Sequence, residues 1–271
     1  DYGSSGTLRM DNECMTYSAV TPNGALLDFT ITTRGTDGTT AATHDEDTLV
    51  QDCYRVTNST VDDIAEELLQ DYAGISSSYL NTSAWTNEVD GYASAYSLNA
   101  LITEPTAVSK LLSELQQQVG FYLWWDEKTQ LVKMKVIRGI AETPDSLSDD
   151  ENIIAGSMRI YDRPRERVSQ VWLYFGQRDP TESFTSVANY SSAQIAADLE
   201  AEGADLYGES SVVKIFSRWL DTFALGLSTA TKILSRFTDS PRYAEFQLDA
   251  KDRSYWVGDT ISLDHHLDID E

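Results

Sequence analysis

The fold class is indicated most clearly by residues 105–137, PTAVSKLLSELQQQVGFYLWWDEKTQLVKMKVI. Apolar side chains recur there at helical spacing as far as Gly120, and Pro105 suits the first turn of a helix because its missing N–H would be unpaired there anyway. Two runs of aromatic and branched residues follow, separated by the polar break Asp126–Thr129, which is the pattern of a β-hairpin. The stretch therefore predicts a compact unit of helix plus hairpin over about 101–141.

The region before this unit, residues 1–100, predicts mainly β-structure with one helix. Apolar and polar residues alternate over 27–31, the period of a half-buried strand. Residues 35–47 carry turn residues and charge without periodicity and are expected to form a long loop. A continuous apolar stripe predicts a helix over about 61–73, which ends at Gly74 because glycine readily adopts the left-handed conformation at that position.

The region after the unit, residues 153–271, predicts a β-rich domain with helices at about 192–202 and 221–237. Strand character returns over 168–175, and alternating apolar residues near the end predict further strands. Residues 142–152 are rich in acidic groups and are expected to form an exposed connection. Together the segments predict an α+β fold of several small β-rich domains, with β-barrel or sheet domains and short packed helices.

The composition excludes several classes of protein. The chain has 271 residues and a formal net charge of −24, from 20 Lys and Arg against 44 Asp and Glu. A protein that binds nucleic acid through phosphate contacts needs a basic face, which this excess of carboxylates opposes. Apolar residues make up 41% of the chain, enough for a hydrophobic core, and no apolar run approaches the roughly 20 residues of a membrane span.

The two ends and the cysteines carry further expectations. The chain begins at Asp1 without a signal-peptide pattern and stops at Glu271 directly after a strand-like pattern, so we expect it to be a segment of a longer polypeptide. Cys14 and Cys53 are too few for a disulfide framework. The sequence leaves open whether these two thiols form a single bridge.

Acidic residues together with tryptophans suggest an alternative function, a carbohydrate-binding or glycoside-processing module. Glycoside hydrolysis needs two carboxylates across the scissile bond. The candidate pairs are Asp126 with Glu127 and Asp249 with Asp252. Both lie in predicted turns, where aspartate is common for its backbone hydrogen bonds alone, so neither is assigned as catalytic.

The tryptophans and the missing nucleophile motifs also favour a structural protein. Trp124, Trp125 and Trp172 fall in predicted strands, where packing in a core is the expected role. The roles of Trp85 and Trp256 are left open. The sequence contains neither the Gly-x-Ser-x-Gly motif of hydrolases nor a phosphate-binding loop, and we therefore expect no enzymatic activity.

A metal site can be considered at the C-terminal end of the chain, where His265 and His266 lie close to Asp268 and Asp270. Adjacent residues of a strand point to opposite faces, so one ion would rarely bind both histidines. A solvated acidic end explains this run better. No metal and no cofactor is therefore expected.

Several segments resemble the tail hub or tail-tip proteins of tailed bacteriophages and gene-transfer-agent particles. Each pattern is degenerate alone, but their order along the chain is shared over about residues 60–265. The segments are 60–80, 101–108 leading through Leu111 and Leu112 to 120–127, 167–171 followed by Asn189 and Tyr190, and 244–252 running into 256–263.

The resemblance implies a baseplate-hub-like fold and a structural role in the virion. Such proteins form a trimeric ring that closes the tail tube, connects to the distal tail protein and to fibre or spike parts, and meets the tape-measure protein and the passing DNA. On this basis we expect a homotrimer at the tail tip, assembled in the bacterial cytoplasm, with no membrane span. Part of the −24 charge would line the lumen and repel DNA. One hypothesis is that the strand over 168–175 pairs between subunits or into a ring of β-domains, in which case Leu173→Lys should abolish particle assembly.

Overall fold

The computed structural model describes residues 2–138, 145–148, 151–203, 208–249 and 255–264. Within these ranges there are four α-helices and fourteen strands. The strands form five sheets, none of which closes into a barrel. The predicted α+β class with several small sheets is therefore confirmed. The domain boundaries near 101 and 153 stay a prediction.

The N-terminal sheet is built from five antiparallel strands with β3 at one edge, in the order β3-β2-β1-β4-β5. The strands are β1 (Gly6–Met10), β2 (Glu13–Asn23), β3 (Leu26–Thr36), β4 (Val50–Ser59) and β5 (Leu98–Ile102). The predicted strand at 27–31 is confirmed as part of β3. A loop over 37–49, close to the predicted one, joins β3 to β4. We call it the 37–49 loop.

The predicted helix over 61–73 is confirmed. It begins as α1 (Val61–Glu67) and continues as a π-helical turn over Leu68–Tyr72. Gly74 follows with a φ of +69°, the left-handed conformation in which glycine commonly ends a helix. The apolar stripe is buried in the main hydrophobic core through Val61, Ile64, Ala65 and Leu68.

The predicted unit of helix plus hairpin is also confirmed. Helix α3 (Val108–Leu115) runs into a π-helical turn that ends at Gly120, and β6 (Phe121–Asp126) then pairs antiparallel with β7 (Leu131–Val136). A further helix, α2 (Thr82–Tyr92), packs against β7 and was not predicted from the sequence.

A three-stranded sheet and one long helix follow. β10 (Gln170–Gln177) lies between the antiparallel β11 (Tyr190–Ala197) and the parallel β12 (Val212–Phe216). Helix α4 (Phe223–Phe237), which matches the predicted helix over 221–237, packs on β10 and β11. One hydrophobic core extends from α1 and α2 through the hairpin to this sheet and α4.

Two expectations about this sheet were wrong. Residues 192–202 were predicted to be helical, but β11 pairs with β10 along its length. The ladder satisfies the backbone N–H and C=O groups of this stretch, which outweighs the helix propensity of its alanines. The strand over 168–175 was expected to pair between subunits, but β10 has a strand of its own chain on each side. Leu173 in it is fully buried, so a charge placed there would test folding rather than assembly.

The predicted exposed connection over 142–152 is wrong for Asp145–Ser148. These residues form β8, which pairs in parallel with the distant β14 (Ile261–Asp264), and Leu147 in β8 is fully buried. The pairing could not be read from local sequence because the partner lies far along the chain. The remaining two strands pair with each other and are β9 (Arg159–Asp162) and β13 (Arg242–Glu245).

Candidate functional site

The candidate catalytic residue Asp126 lies at the turn of the β6–β7 hairpin, where it serves as a hydrogen-bond acceptor. Its side chain is buried, and its oxygens accept from the backbone N–H of Lys128 at 3.0 Å and the hydroxyl of Thr129 at 2.5 Å. The indole N–H of Trp256 also donates to it, at 2.7 Å. Asp126 therefore holds the turn closed and attaches the segment around Trp256 to the hairpin.

The electrostatics of Asp126 do not match a glycosidase acid. The hydroxyl of Thr129, then the backbone N–H of Lys128 and the indole of Trp256, lower the pKa of Asp126. A general acid near neutral pH needs a raised pKa instead. Its neighbour Glu127 points into solvent.

The second carboxylate pair is only partly described. The backbone N–H of Asp249 donates to the carbonyl of Asn152 at 2.8 Å, next to the bridge between Ile153 and Leu248. Asp252 lies outside the described residues. The described residues therefore leave the hypothesis about this pair untested.

The tryptophans act mainly in packing. Trp124 and Trp172 lie in β6 and β10 as predicted, while Trp125 is half exposed and meets the ring of Tyr79 edge-on at 5.7 Å. Trp85, whose role was open, is almost fully buried and donates its indole N–H to a carbonyl of β7. Trp85 therefore packs in the core, whereas Trp125 and Trp256 each keep nearly half of their surface exposed.

The metal-binding hypothesis falls on residues that the structure does not describe, since His265, His266, Asp268 and Asp270 all lie beyond residue 264. Within the described ranges, no three His, Cys, Asp or Glu side chains come together as ligands for an ion. In the same part of the chain, no helix is long and apolar enough to cross a membrane.

Cys14 and Cys53 are both buried and carry free thiols. They lie on β2 and β4, on either side of β1, and form a small apolar cluster with Leu101 of β5. The hydrogen bond between the two thiols, together with burial, raises the pKa of Cys53. The two thiols therefore act as apolar core groups and are not bridged.

A buried charge cluster at the start of β2 was missed by the sequence analysis. Glu13 is only 1% exposed, and its carboxylate accepts two hydrogen bonds from the guanidinium of Arg34, at 2.5 and 2.6 Å. It also accepts from the backbone N–H groups of Gly35 and Ala42 and from Nε2 of His44. The guanidinium of Arg34 contributes most to lowering the pKa of Glu13 far below its ordinary range.

The position of Glu13 in the sequence could have indicated this cluster. A glutamate that directly precedes buried strand residues such as Cys14 and Met15 needs a cationic partner if it is buried itself. The two side chains that bind Glu13, Arg34 and His44, lie 21 and 31 positions from it in the sequence. Only the pairing of β2 with β3 brings them together.

Comparisons with known proteins give a weak structural similarity. No protein-family model matches the chain, and no curated protein matches it. Among solved structures it is similar to the crystal structure of the 43 kDa tail protein of prophage MuSo2 from Shewanella oneidensis. The two share 14% sequence identity, with a TM-score of 0.40, over 89% of this chain and 76% of that chain.

β3 leaves one free edge on the described surface of the N-terminal sheet. β3 is eleven residues long and pairs only with β2, so its other edge carries unpaired backbone groups in the described structure. Leu26 is 70% exposed, and Leu27 and Ile31 are also exposed. Long, exposed apolar edges favour pairing with a strand of another chain.

Proposed function

We propose that this chain is a structural, non-enzymatic component of a phage-like tail tip, located in the virion. In this role it forms a trimeric hub that closes the tail tube and connects the distal tail protein to fibre or spike parts. The ordered sequence segments that resemble tail hub proteins over about 60–265 support the role. The free edge of β3 supports assembly between copies of the chain.

The chemistry of β3 explains why this edge suits an intersubunit contact. Its sequence, LLDFTITTRGT, combines β-branched and apolar residues with one Asp and one Arg, and it contains neither Lys nor Pro. Monomeric proteins commonly protect an edge strand with such residues because they block further pairing. In a ring, one edge of each subunit would meet a different surface of the next subunit, which closes after three copies in a trimer.

The charge balance supports passage of DNA without binding. A lumen lined by part of the 44 acidic residues would repel the phosphate backbone, with a range of about 8 Å at physiological ionic strength. DNA would then slide through the hub instead of adhering to its wall. The tape-measure protein would contact the same lumen.

A charge substitution on β3 tests the assembly role. We expect the wild-type chain to sediment as a trimer, and the double variant Thr30→Lys/Thr32→Lys to sediment as a monomer because the added ammonium groups block strand pairing. A matched control is Ser109→Lys/Ser113→Lys, which adds the same charge at exposed positions of α3. The control should stay trimeric.

Two results would contradict the proposal. One is a wild-type chain that stays monomeric at concentrations of about 100 μM, well above the Kd of a stable assembly. The other is a β3 double variant that assembles like the wild type. Circular dichroism of each variant shows whether a lost trimer reflects lost folding.

A further inference from the structure

The 37–49 loop is attached to the sheet by hydrogen bonds to the start of β2 and to Arg34 of β3. The hydroxyl of Thr39 accepts from the backbone N–H of Cys14 at 3.0 Å, and the backbone N–H of Ala42 donates to Glu13 at 2.9 Å. The guanidinium of Arg34 also donates to the carbonyl of Ala42. These bonds bring the middle of the loop back over the sheet.

His44 completes this attachment with both of its ring nitrogens. Nδ1 lies 2.9 Å from Oδ2 of Asp11, and Nε2 lies 2.9 Å from Oε2 of Glu13. Carboxylate oxygens only accept hydrogen bonds, so both nitrogens can donate only if the imidazole is protonated. A neutral ring would turn one unprotonated nitrogen toward a carboxylate.

The charged groups around His44 are Asp11 on the β1–β2 turn, Glu13 on β2 and Arg34 on β3. Asp179 lines the same small cavity from the C-terminal side of β10. Three carboxylates thus face one imidazole and one guanidinium. Arginine stays charged throughout the accessible pH range, and histidine is the member of the cluster whose ordinary pKa lies closest to neutral pH.

The loop also forms one wall of an apolar cavity. Ala42, Thr43 and His44 close one side of a space of about 480 Å³ next to Arg34. The rest of the wall comes from one face of the N-terminal sheet, through Leu8, Met10, Met15, Phe29, Ile31 and Val50. If the loop moved away, the buried side chains of this face, such as Leu8 and Met15, would become more exposed to solvent.

We propose that His44 is a pH-sensitive latch, which attaches the 37–49 loop over the apolar cavity more tightly when the imidazole is protonated and loosens this attachment when it is neutral. The latch belongs to a single subunit. It is therefore independent of the trimeric hub and can be tested whether or not that assembly forms.

The direction of the pH response follows from the hydrogen bonds. Those to Asp11 and then to Glu13 raise the pKa of His44 above its ordinary value of 6.5. A group whose pKa is raised on folding stabilises the folded state fully below the unfolded value, and this contribution is lost as pH rises through the folded value. The loop should therefore be held more tightly in mild acid than in mild alkali.

Amide hydrogen exchange on the full chain tests the latch. Between about pH 5.5 and about pH 9.5, we expect the protection factor of the Ala42 amide to fall by about tenfold or more, since a hydrogen bond to a charged group is lost. His44→Arg, which keeps the charge, should stay protected at both pH values. His44→Gln, which cannot be charged, should show the lower protection at both pH values.

The other two histidines of the chain provide a control for the latch. The double variant His265→Gln/His266→Gln should respond like the wild type, because the proposal assigns the pH response to His44 alone. Unchanged protection of Ala42 in the wild type across this range would overturn the proposal. So would an NMR titration of the wild-type His44 imidazole with a pKa at or below 6.5, a measurement that does not depend on any variant folding.

Discussion

Single residues join the N-terminal sheet to the C-terminal half of the chain. Gly38, with a φ of +81°, brings the 37–49 loop against the backbone of Arg178, and Thr103 donates its hydroxyl to the carbonyl of Pro180 at 2.7 Å. Each contact requires a small or hydrogen-bonding group at one position. Thr103 is buried whereas Gly38 is exposed, and substitutions at either position should lower stability because each breaks a contact between the two halves.

Gly38→Ala is expected to destabilise the protein strongly. A Cβ at this position would lie 1.9 Å from the carbonyl oxygen of Arg178, and the left-handed φ adds strain. We expect a loss of about 2–4 kcal/mol in the free energy of unfolding. Urea denaturation measures it.

Gly24→Ala is the matched control for that variant. Gly24 also has a positive φ, +67°, but an added Cβ would meet no atom within 4 Å. Only the backbone strain remains, which costs about 1 kcal/mol. Equal losses for the two variants would show that the contact of Gly38 with Arg178 does not constrain the fold.

At the scale of elements, the sequence predicted what local patterns determine. The stripe from Val108 to Val119 and the hairpin that follows were predicted because helix and hairpin are formed by neighbours in the chain. β8 and β11 were not predicted, because each is defined by a strand outside its own stretch. The buried Glu13 cluster was missed for the same physical reason, since the β2–β3 register creates it.

Alanine substitution at two helical glycines should change stability in opposite directions. One of them, Gly226, lies in α4, which packs on β10. Gly226 faces the ring of Phe175, and an added Cβ would lie 2.6 Å from that ring. Gly226→Ala should therefore destabilise the protein by about 1–3 kcal/mol, although alanine favours the helix itself. Thermal unfolding measures the change.

Gly91→Ala in α2 is the corresponding control. Its added Cβ meets no atom within 4 Å, so only the gain in helix propensity remains. We expect this variant to be more stable by about 0.5–1 kcal/mol. A stabilised Gly226→Ala would mean that α4 can move away from Phe175 at no cost.

At the scale of the whole molecule, the net charge of −24 acts on folding as well as on DNA. Carboxylates that repel one another weaken the folded state, and a few ion pairs such as Arg218 with Glu114 offset this only locally. Salt screens repulsion between exposed groups and affects partly buried pairs less. The folded chain should therefore be stabilised by salt.

Raising NaCl from about 10 mM to about 500 mM is expected to raise the melting temperature, by about 2–4 °C for each kcal/mol of repulsion removed. KCl at equal ionic strength should give the same shift, because screening depends on ionic strength and not on the cation. A melting temperature that falls on addition of NaCl would show that attractive ion pairs outweigh the repulsion.

The pairing of β8 with β14 sets an order for folding during synthesis. Leu147 leaves the ribosome well before its partner Leu263, and at roughly 5–20 residues per second the delay is on the order of ten seconds. The β6–β7 hairpin and the β1–β4 part of the N-terminal sheet can form meanwhile, but β8 has no β14 strand to pair with. The nascent chain therefore exposes a short unpaired strand that is prone to aggregation, and we expect chaperones of the producing cell to bind it.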